Sequence, residues 1–288
     1  MRLIIFTNRD LASNVFLNHI MPHVAPYVVH IFVSDKVGKA TTTATPKELK
    51  DLKFFEQTLP NDFIFPSIDA QPSTESTSLN ALINGNTEGG KLLTFNQLSK
   101  YYQVPIESLN DVRSTENLDK VKVLQPDLVL SVRYGKIFGN AFLTTPKHGV
   151  INLHSGRLPQ YRGVLPAFRA LMNDDAVIYP TLHYIEDGTI DTGGIIGFAE
   201  LKVEHDKSLL WHVLNLYPAS VDLVVNAIQQ IAQGKKPLAK GQDDTGAAYF
   251  TFPTADEIAL FLEKTKRSFV DVEEYSAFLK LYMSSPSV

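Results

Sequence analysis

Val150-Ile151-Asn152-Leu153-His154, followed at once by Ser155-Gly156-Arg157-Leu158-Pro159-Gln160-Tyr161-Arg162-Gly163, is the passage on which the reading of this 288-residue chain turns. A strand sends alternate side chains to opposite faces, so Ile151 and Leu153 turn one way while Asn152 and His154 project together the other way. Gly and Pro then break the run, and the loop they open lies at the carboxyl end of a strand. Open α/β sheets hold their ligands at that end.

Working outward, Leu128 to Val132 reads as a strong strand. Before it come a helix at Phe95 to Tyr102, a strand at Val104 to Leu109 and a helix at Thr115 to Leu124. At the start, Leu3 to Thr7 reads as a buried strand, Leu11 to Val24 as a helix with Asp10 as N-cap, and Val28 to Val33 as a second strand. Downstream, Pro166 to Met172 reads as a helix. Thr181 to Ile185 and Gly194 to Val203 read as strands around a Gly-rich turn, and Ser208 to Gln233 as one long amphipathic helix. This alternation predicts an α/β fold with a doubly wound, mostly parallel sheet.

Two stretches depart from the alternation. Lys36 to about Gly90 is rich in Thr, Ser, Asn and Pro, with a charged helical candidate at Pro46 to Gln57 and an apolar patch at Phe63 to Ile68, and reads as an insertion. After Gly234 the composition shifts, and a tail resumes with Tyr249 to Pro253 and a helix near Ala255 to Lys264. The expected division is a main domain over 1–235, with the insertion at about 36–90, and a short C-terminal extension over 236–288.

Composition removes several classes of function. With 44% hydrophobic and 20% charged residues the chain can bury a sizeable core. Its formal net charge of -4 supplies no general field for gathering nucleic acid. Zero cysteines exclude disulfides, thiol nucleophiles and cysteine-built metal sites. The first apolar run, Leu3 to Phe6, is too short for a signal core or a membrane span, so a cytoplasmic protein without a membrane partner is expected.

About thirty residues past the opening strand, Glu186-Asp187-Gly188-Thr189-Ile190-Asp191-Thr192-Gly193-Gly194 forms a turn that brings a carboxylate toward the imidazole. An amide, an imidazole and a carboxylate suffice for acyl transfer in which the substrate amine is the nucleophile. Asn152 and a protonated His154 can donate to the carbonyl oxygen as it gains charge, and loss of one such donor costs roughly 3 to 4 kcal/mol of barrier. Asp191 can orient His154 and help to take the proton that the amine sheds, an effect of about a hundred to ten thousand-fold.

Asn152-Leu153-His154-Ser155 with Leu158-Pro159-Gln160-Tyr161-Arg162-Gly163, then Asp187-Gly188-Thr189-Ile190-Asp191-Thr192-Gly193, resembles the folate-dependent formyltransferase family in order and spacing. The resemblance runs from about Pro126 to Ile231. It implies that Asn152, His154 and Asp191 match the family's catalytic residues, that residues 1–235 form the catalytic domain, and that the formyl donor is 10-formyltetrahydrofolate. It further implies a pterin pocket from the loop Arg133, Tyr134, Gly135, Lys136 and Ile137 with Ile185 and Asp187.

The remaining polar residues divide between chemistry and structure. His183 shares a strand face with Thr181 and Ile185; the family often has a histidine nearby, but a structural role is at least as good a reading. Arg162 reads as a brace for its loop, while Arg157 and Tyr161 either brace it or position an anionic acceptor. His19, His23, His30, His148, His205 and His212 show no ligand spacing with carboxylates, and no metal is expected.

For the acceptor, Arg9-Asp10-Leu11-Ala12-Ser13-Asn14 lacks the glycine of the Gly-Ser-Asn phosphate loop found in family members that formylate glycinamide ribonucleotide. Members acting on methionyl-tRNA carry a barrel domain of about a hundred residues where some fifty follow here. The tail with Tyr249-Phe250-Thr251-Phe252-Pro253-Thr254 is similar to those of members that formylate amino sugars on nucleotide carriers. The leading expectation is therefore a small-molecule amine, a nucleotide-linked amino sugar, with no nucleic-acid partner. Alternatives are a hydroxylamine or amino acid in secondary metabolism, hydrolysis of the formyl folate, methionyl-tRNA, and a folate-binding module without turnover. A homodimer is a further possibility.

Overall fold

The six residues of Leu3–Asn8 (β1) are all buried, and their side chains are shared between two cores. Leu3 and Ile5 enter one core, Ile4 and Phe6 the other, as period-two alternation requires of a central strand covered on both faces. The computed structural model describes residues 1–35, 44–71 and 91–283. β1 is followed by Val28–Ser34 (β2), Ile106–Ser108 (β3), Leu128–Val132 (β4), Val150–His154 (β5), Thr181–Ile185 (β6) and Ile195–Phe198 (β7). They form one seven-stranded sheet in the order β3-β2-β1-β4-β5-β6-β7. β1 to β5 are parallel; β6 and β7 add antiparallel. The α/β, doubly wound, mostly parallel sheet expected from the sequence is the observed one. The strand order reverses between β1 and β4, the switch point at which such folds open a crevice.

The helices are Leu11–Val24 (α1), Lys47–Lys53 (α2), Phe65–Asp69 (α3), Phe95–Tyr102 (α4), Thr115–Val123 (α5), Asn140–Leu143 (α6), Pro166–Met172 (α7), Leu209–Leu216 (α8), Val221–Ala232 (α9), Ala255–Thr265 (α10) and Val272–Met283 (α11). Residues of α1, α4 and α7 to α11 share the larger core, and those of α5 and α6 the smaller one. Asp10 caps α1, its carboxylate accepting from Ser13 N at 2.8 Å. Thr94 caps α4 and Thr254 caps α10 through reciprocal capping boxes with Gln97 and Glu257.

Three expected elements differ in extent, each for a local reason. The long helix over Ser208 to Gln233 is two helices, because Pro218 has no N–H and cannot continue the first; a short 3-10 turn, Pro218–Ser220, joins them. β3 is shorter than Val104 to Leu109, since the Val104 N–H is already given to Ser99 O at the end of α4. The stretch from Gly194 to Val203 is divided: Phe198 pairs with Thr181, but Leu201 pairs with Ile178 across Pro180, which has no N–H to give.

Within the expected insertion, residues 44–71 run as α2, two π-helical turns (Phe54–Thr58 and Pro60–Ile64) and α3, burying Leu52, Phe65 and Ile68. Residues 36–43 and 72–90 of that insertion lie outside the described residues. The extension joins the larger core through Phe261 and Tyr282, both 0% exposed, and Tyr275 OH donates to Phe55 O at 3.0 Å. Among the described residues no helix is long and apolar enough to cross a membrane.

Candidate active site

Parallel pairing with β4 sets Asn152 beside Ser131, and antiparallel pairing with β6 sets it opposite His183. Alternation then directs Asn152, His154 and His183 to one cavity at the carboxyl ends of β4 and β5. The turn between β6 and β7 folds back over it, so that Asp191 Oδ2 lies 3.4 Å from His154 Nδ1 and Asp191 Oδ1 lies 3.6 Å from His183 Nε2. The three residues singled out from the sequence therefore converge, together with His183, which was set aside as equally well structural.

Each side chain is held. His154 Nε2 donates to Tyr161 O at 2.7 Å, which leaves Nδ1 facing Asp191. His183 Nδ1 donates to Tyr184 O at 2.8 Å, so its Nε2 is the acceptor for the Asn152 amide at 3.1 Å. Asp191 has φ +57°, an αL conformation that Asp tolerates better than most side chains, and its Oδ2 accepts from Gly163 N at 2.9 Å. Gly193 closes the turn at a point where a Cβ would lie 1.9 Å from Tyr184 O, so only glycine fits.

Burial pushes the His154 imidazole below its ordinary pKa and the neighbouring His183 adds to this, against the opposing pull of Asp191 and the Tyr161 carbonyl. For Asp191, burial alone would raise the pKa; it is outweighed by the charge of His154, by His183 and by the Gly163 N–H, which together hold the carboxyl well below the usual range. The Gly163 N–H holds the carboxylate whatever the charge on either imidazole. Asn152 thus offers a fixed amide, and His154 Nδ1 and Asp191 form a pair between which a proton can move.

The cavity has a volume of about 580 Å³. Its walls come from the loop after β4, the turn after β6, the insertion (Leu49, Leu52, Lys53, Glu56 and Gln57) and the extension (Tyr249, Phe252 and Pro253). Arg133, Tyr134, Gly135, Lys136, Ile137, Ile185 and Asp187, the expected pterin pocket, all line it. Their side chains differ in what they can offer. Tyr134 OH donates to Leu109 O at 2.8 Å, and its ring packs edge-on to Phe6. Asp187 is occupied by the backbone N–H and hydroxyl of Thr189, which lower its pKa. Ile137 is 49% exposed, and the Gly135 N–H donates to Asn8 Oδ1 at 3.3 Å.

Arg133 spends its guanidinium on the protein. Nε pairs with Asp10 at 3.0 Å, Nη2 with Glu56 at 2.9 Å, and Nη1 donates to Tyr217 OH at 3.2 Å. Its backbone, at φ +60°, is fixed by the Asn8 amide donating to its carbonyl. One cation thus joins the cap of α1, the insertion and the end of α8. Arg162 braces its loop by donating to Gln242 and Asp244, and Arg157 stacks over Tyr179, 4.7 Å from the ring centroid. Asn8, Glu56 and Gln242 carried no signal in the sequence, because each acts through a partner far along the chain.

Residues 85–210 match the family model described as formyl transferase. Over this segment, less than half of its length, the chain is similar to the formyl transferase family. The segment contains β3 to β7 and with them Asn152, His154, His183 and Asp191. A methionyl-tRNA formyltransferase from Syntrophomonas wolfei is 29% identical over 153 residues, 53% of this chain and 48% of that protein. The chain spans about half the length of the curated relatives it matches. Among solved structures, an N-formyltransferase from Helicobacter canadensis, in complex with folinic acid and dTDP-3-aminofucose, is similar with a TM-score of 0.56 at 14% identity, covering 95% of this chain and 82% of that one. Glycinamide ribonucleotide transformylase 1 from Symbiobacterium toebii is similar with a TM-score of 0.53 at 14% identity, covering 84% and 94%. At these identities the likeness to the formyltransferase structures is one of fold.

Proposed function

We propose that this chain is a member of the formyl transferase family and moves a formyl group from 10-formyltetrahydrofolate to the amine of a small molecule, a nucleotide-linked amino sugar, by direct attack of the amine. The observation that carries the reading is the convergence of Asn152, His154 and Asp191 on one cavity at the switch point of the sheet. In the step, the amine nitrogen bonds to the formyl carbon, the bond from that carbon to the folate nitrogen breaks, the amine loses a proton and the folate nitrogen gains one. Asn152 donates to the oxygen as it becomes negative. The proton shed by the amine can be shared between Asp191 and His154 Nδ1, 3.4 Å apart, before the folate nitrogen takes it up, so that the proton count closes. Asp191 receives or relays the proton shed by the amine.

The cavity's volume and mixed lining support a flat, hydrogen-bonding heterocycle as the donor. Its volume lies within the range of small-molecule sites, and Ile137, Ile185 and Leu165 line it beside the polar loop after β4. The amino-sugar acceptor rests on the tail and on the ligand of the Helicobacter canadensis enzyme. A methionyl-tRNA acceptor is the second reading, favoured by the names of the curated relatives. The test is incubation with 10-formyltetrahydrofolate and, in turn, nucleotide amino sugars, hydroxylamines, modified amino acids and methionyl-tRNA, following tetrahydrofolate release and product mass. Release that needs an amino sugar and yields its formamide supports the first reading. Formylation of methionyl-tRNA alone supports the second, and release without any amine makes the protein a hydrolase.

A further inference from the structure

Gln242 of the extension hydrogen-bonds to the turn that carries Asp191. Gln242 Nε2 donates to the main-chain oxygens of Asp191 and Gly193, each at 2.8 Å, while its Oε1 accepts from Arg162 Nε at 3.2 Å and Nη2 at 2.8 Å. Both protons of the amide are therefore committed to the turn that carries the carboxylate. That turn needs holding, since Asp191 sits at φ +57°, outside the broad allowed regions for a residue with a side chain. The backbone around Gln242 is anchored as well. Ile195 and Lys240 exchange both of their hydrogen bonds at 2.8 Å, and Val164 N donates to Phe250 O at 2.8 Å. Gly163, whose N–H holds Asp191 Oδ2, lies so close to the extension that a Cβ there would stand 2.2 Å from Phe250 O.

We propose that Gln242 is a positioning residue for the transfer, fixing the Asp191–Gly193 turn so that the Asp191 carboxylate faces His154 Nδ1. The extension then completes the site instead of merely following it. The inference rests on the reading of His154 and Asp191 as a reacting pair, but the geometry it asserts is open to measurement without turnover.

In the wild-type protein, the Gln242 side-chain amide protons are expected to exchange with solvent at least about tenfold more slowly than those of a free amide, as hydrogen-bonded protons do. Gln242→Glu keeps an acceptor for Arg162 and removes both donors to the turn. It is expected to shift the His154 ring nitrogen resonances, assigned by their loss in His154→Ala. It should also lower kcat about a hundredfold, the effect of misplacing a reacting group by about 1 Å, with the KM for the folate donor within about threefold of wild type. A wild-type amide that exchanges freely overturns the proposal, and so do unchanged His154 resonances and kcat in a folded Gln242→Glu protein. Should that substitution prevent folding, the wild-type exchange rate decides. Absence of turnover on every acceptor tells against the proposed function, while the exchange and ring measurements still decide the role of Gln242.

Discussion

At the scale of single residues, the proposed site gives three polar groups unequal freedom. Asn152 is pinned by His183 and its paired strands, so in the proposed transfer its amide would need no reorganisation to meet a developing negative charge. Asn152→Ala is expected to lower kcat by about a hundred to a thousandfold with the fold intact, as measured in steady-state transfer. Asp191 is held in its charged form, which gives a stability signature with a definite sign. Its folded pKa lies below the unfolded value near 4, so the folded state binds fewer protons there and the stabilisation is fully present above about pH 4, fading as the pH falls. Urea unfolding should therefore show Asp191→Asn to be less stable than wild type by on the order of 1 to 3 kcal/mol at pH 7, with the gap narrowing by pH 3. The positions of Asn152, His154 and Asp191 were legible because alternation and two motifs fixed them. The part played by His183 was not, because it depends on the antiparallel register that sets it opposite Asn152, which no local pattern reveals.

Among the elements, the insertion and the β6–β7 turn carry the least predictable geometry. The strands were legible from apolar runs, but the break at Pro218 was hidden by continuous amphipathic spacing on both sides of it. Nothing in Lys47 to Asp69 announced that Glu56 would turn inward to Arg133. That carboxylate shares a single guanidinium with Asp10, and burial, with Asp10 adding to it, raises the Glu56 pKa to about 7 against the pull of Arg133. The folded state then binds more protons than the unfolded one between about pH 4.3 and 7, so stability is lost as the pH rises through that window. Glu56→Gln retains an acceptor for Arg133 and removes the surplus charge. Its melting temperature is expected to fall less than that of wild type between pH 5 and pH 8, by about 2 to 4 °C for each kcal/mol of relief. For the turn, Gly193→Ala drives a methyl group into the Tyr184 carbonyl. Transfer by that variant is expected to fall by about a hundredfold or more, the cost of a displaced Asp191.

On the scale of the whole molecule, the sheet with its two cores was evident from the order of strands and helices, whereas the integration of the extension was not. The tail shows ordinary amphipathic helices, and only the structure places Phe261 and Tyr282 in the same core as α1 and α7. Phe261→Ala is expected to cost about 3 to 5 kcal/mol, read from chemical denaturation of the full chain, because it empties a site that is 0% exposed. The sheet brings β4, β5 and β6 side by side, the insertion and the extension close the cavity, and Asn152, His154 and Asp191 meet within it. The most direct test is to compare wild type with His154→Ala for single-turnover formyl transfer to the best acceptor, with tetrahydrofolate binding measured by calorimetry on the same samples. Transfer is expected to drop by about a hundred to ten thousand-fold while the folate affinity stays within about threefold. Transfer at the wild-type rate in the folded variant would contradict this expectation.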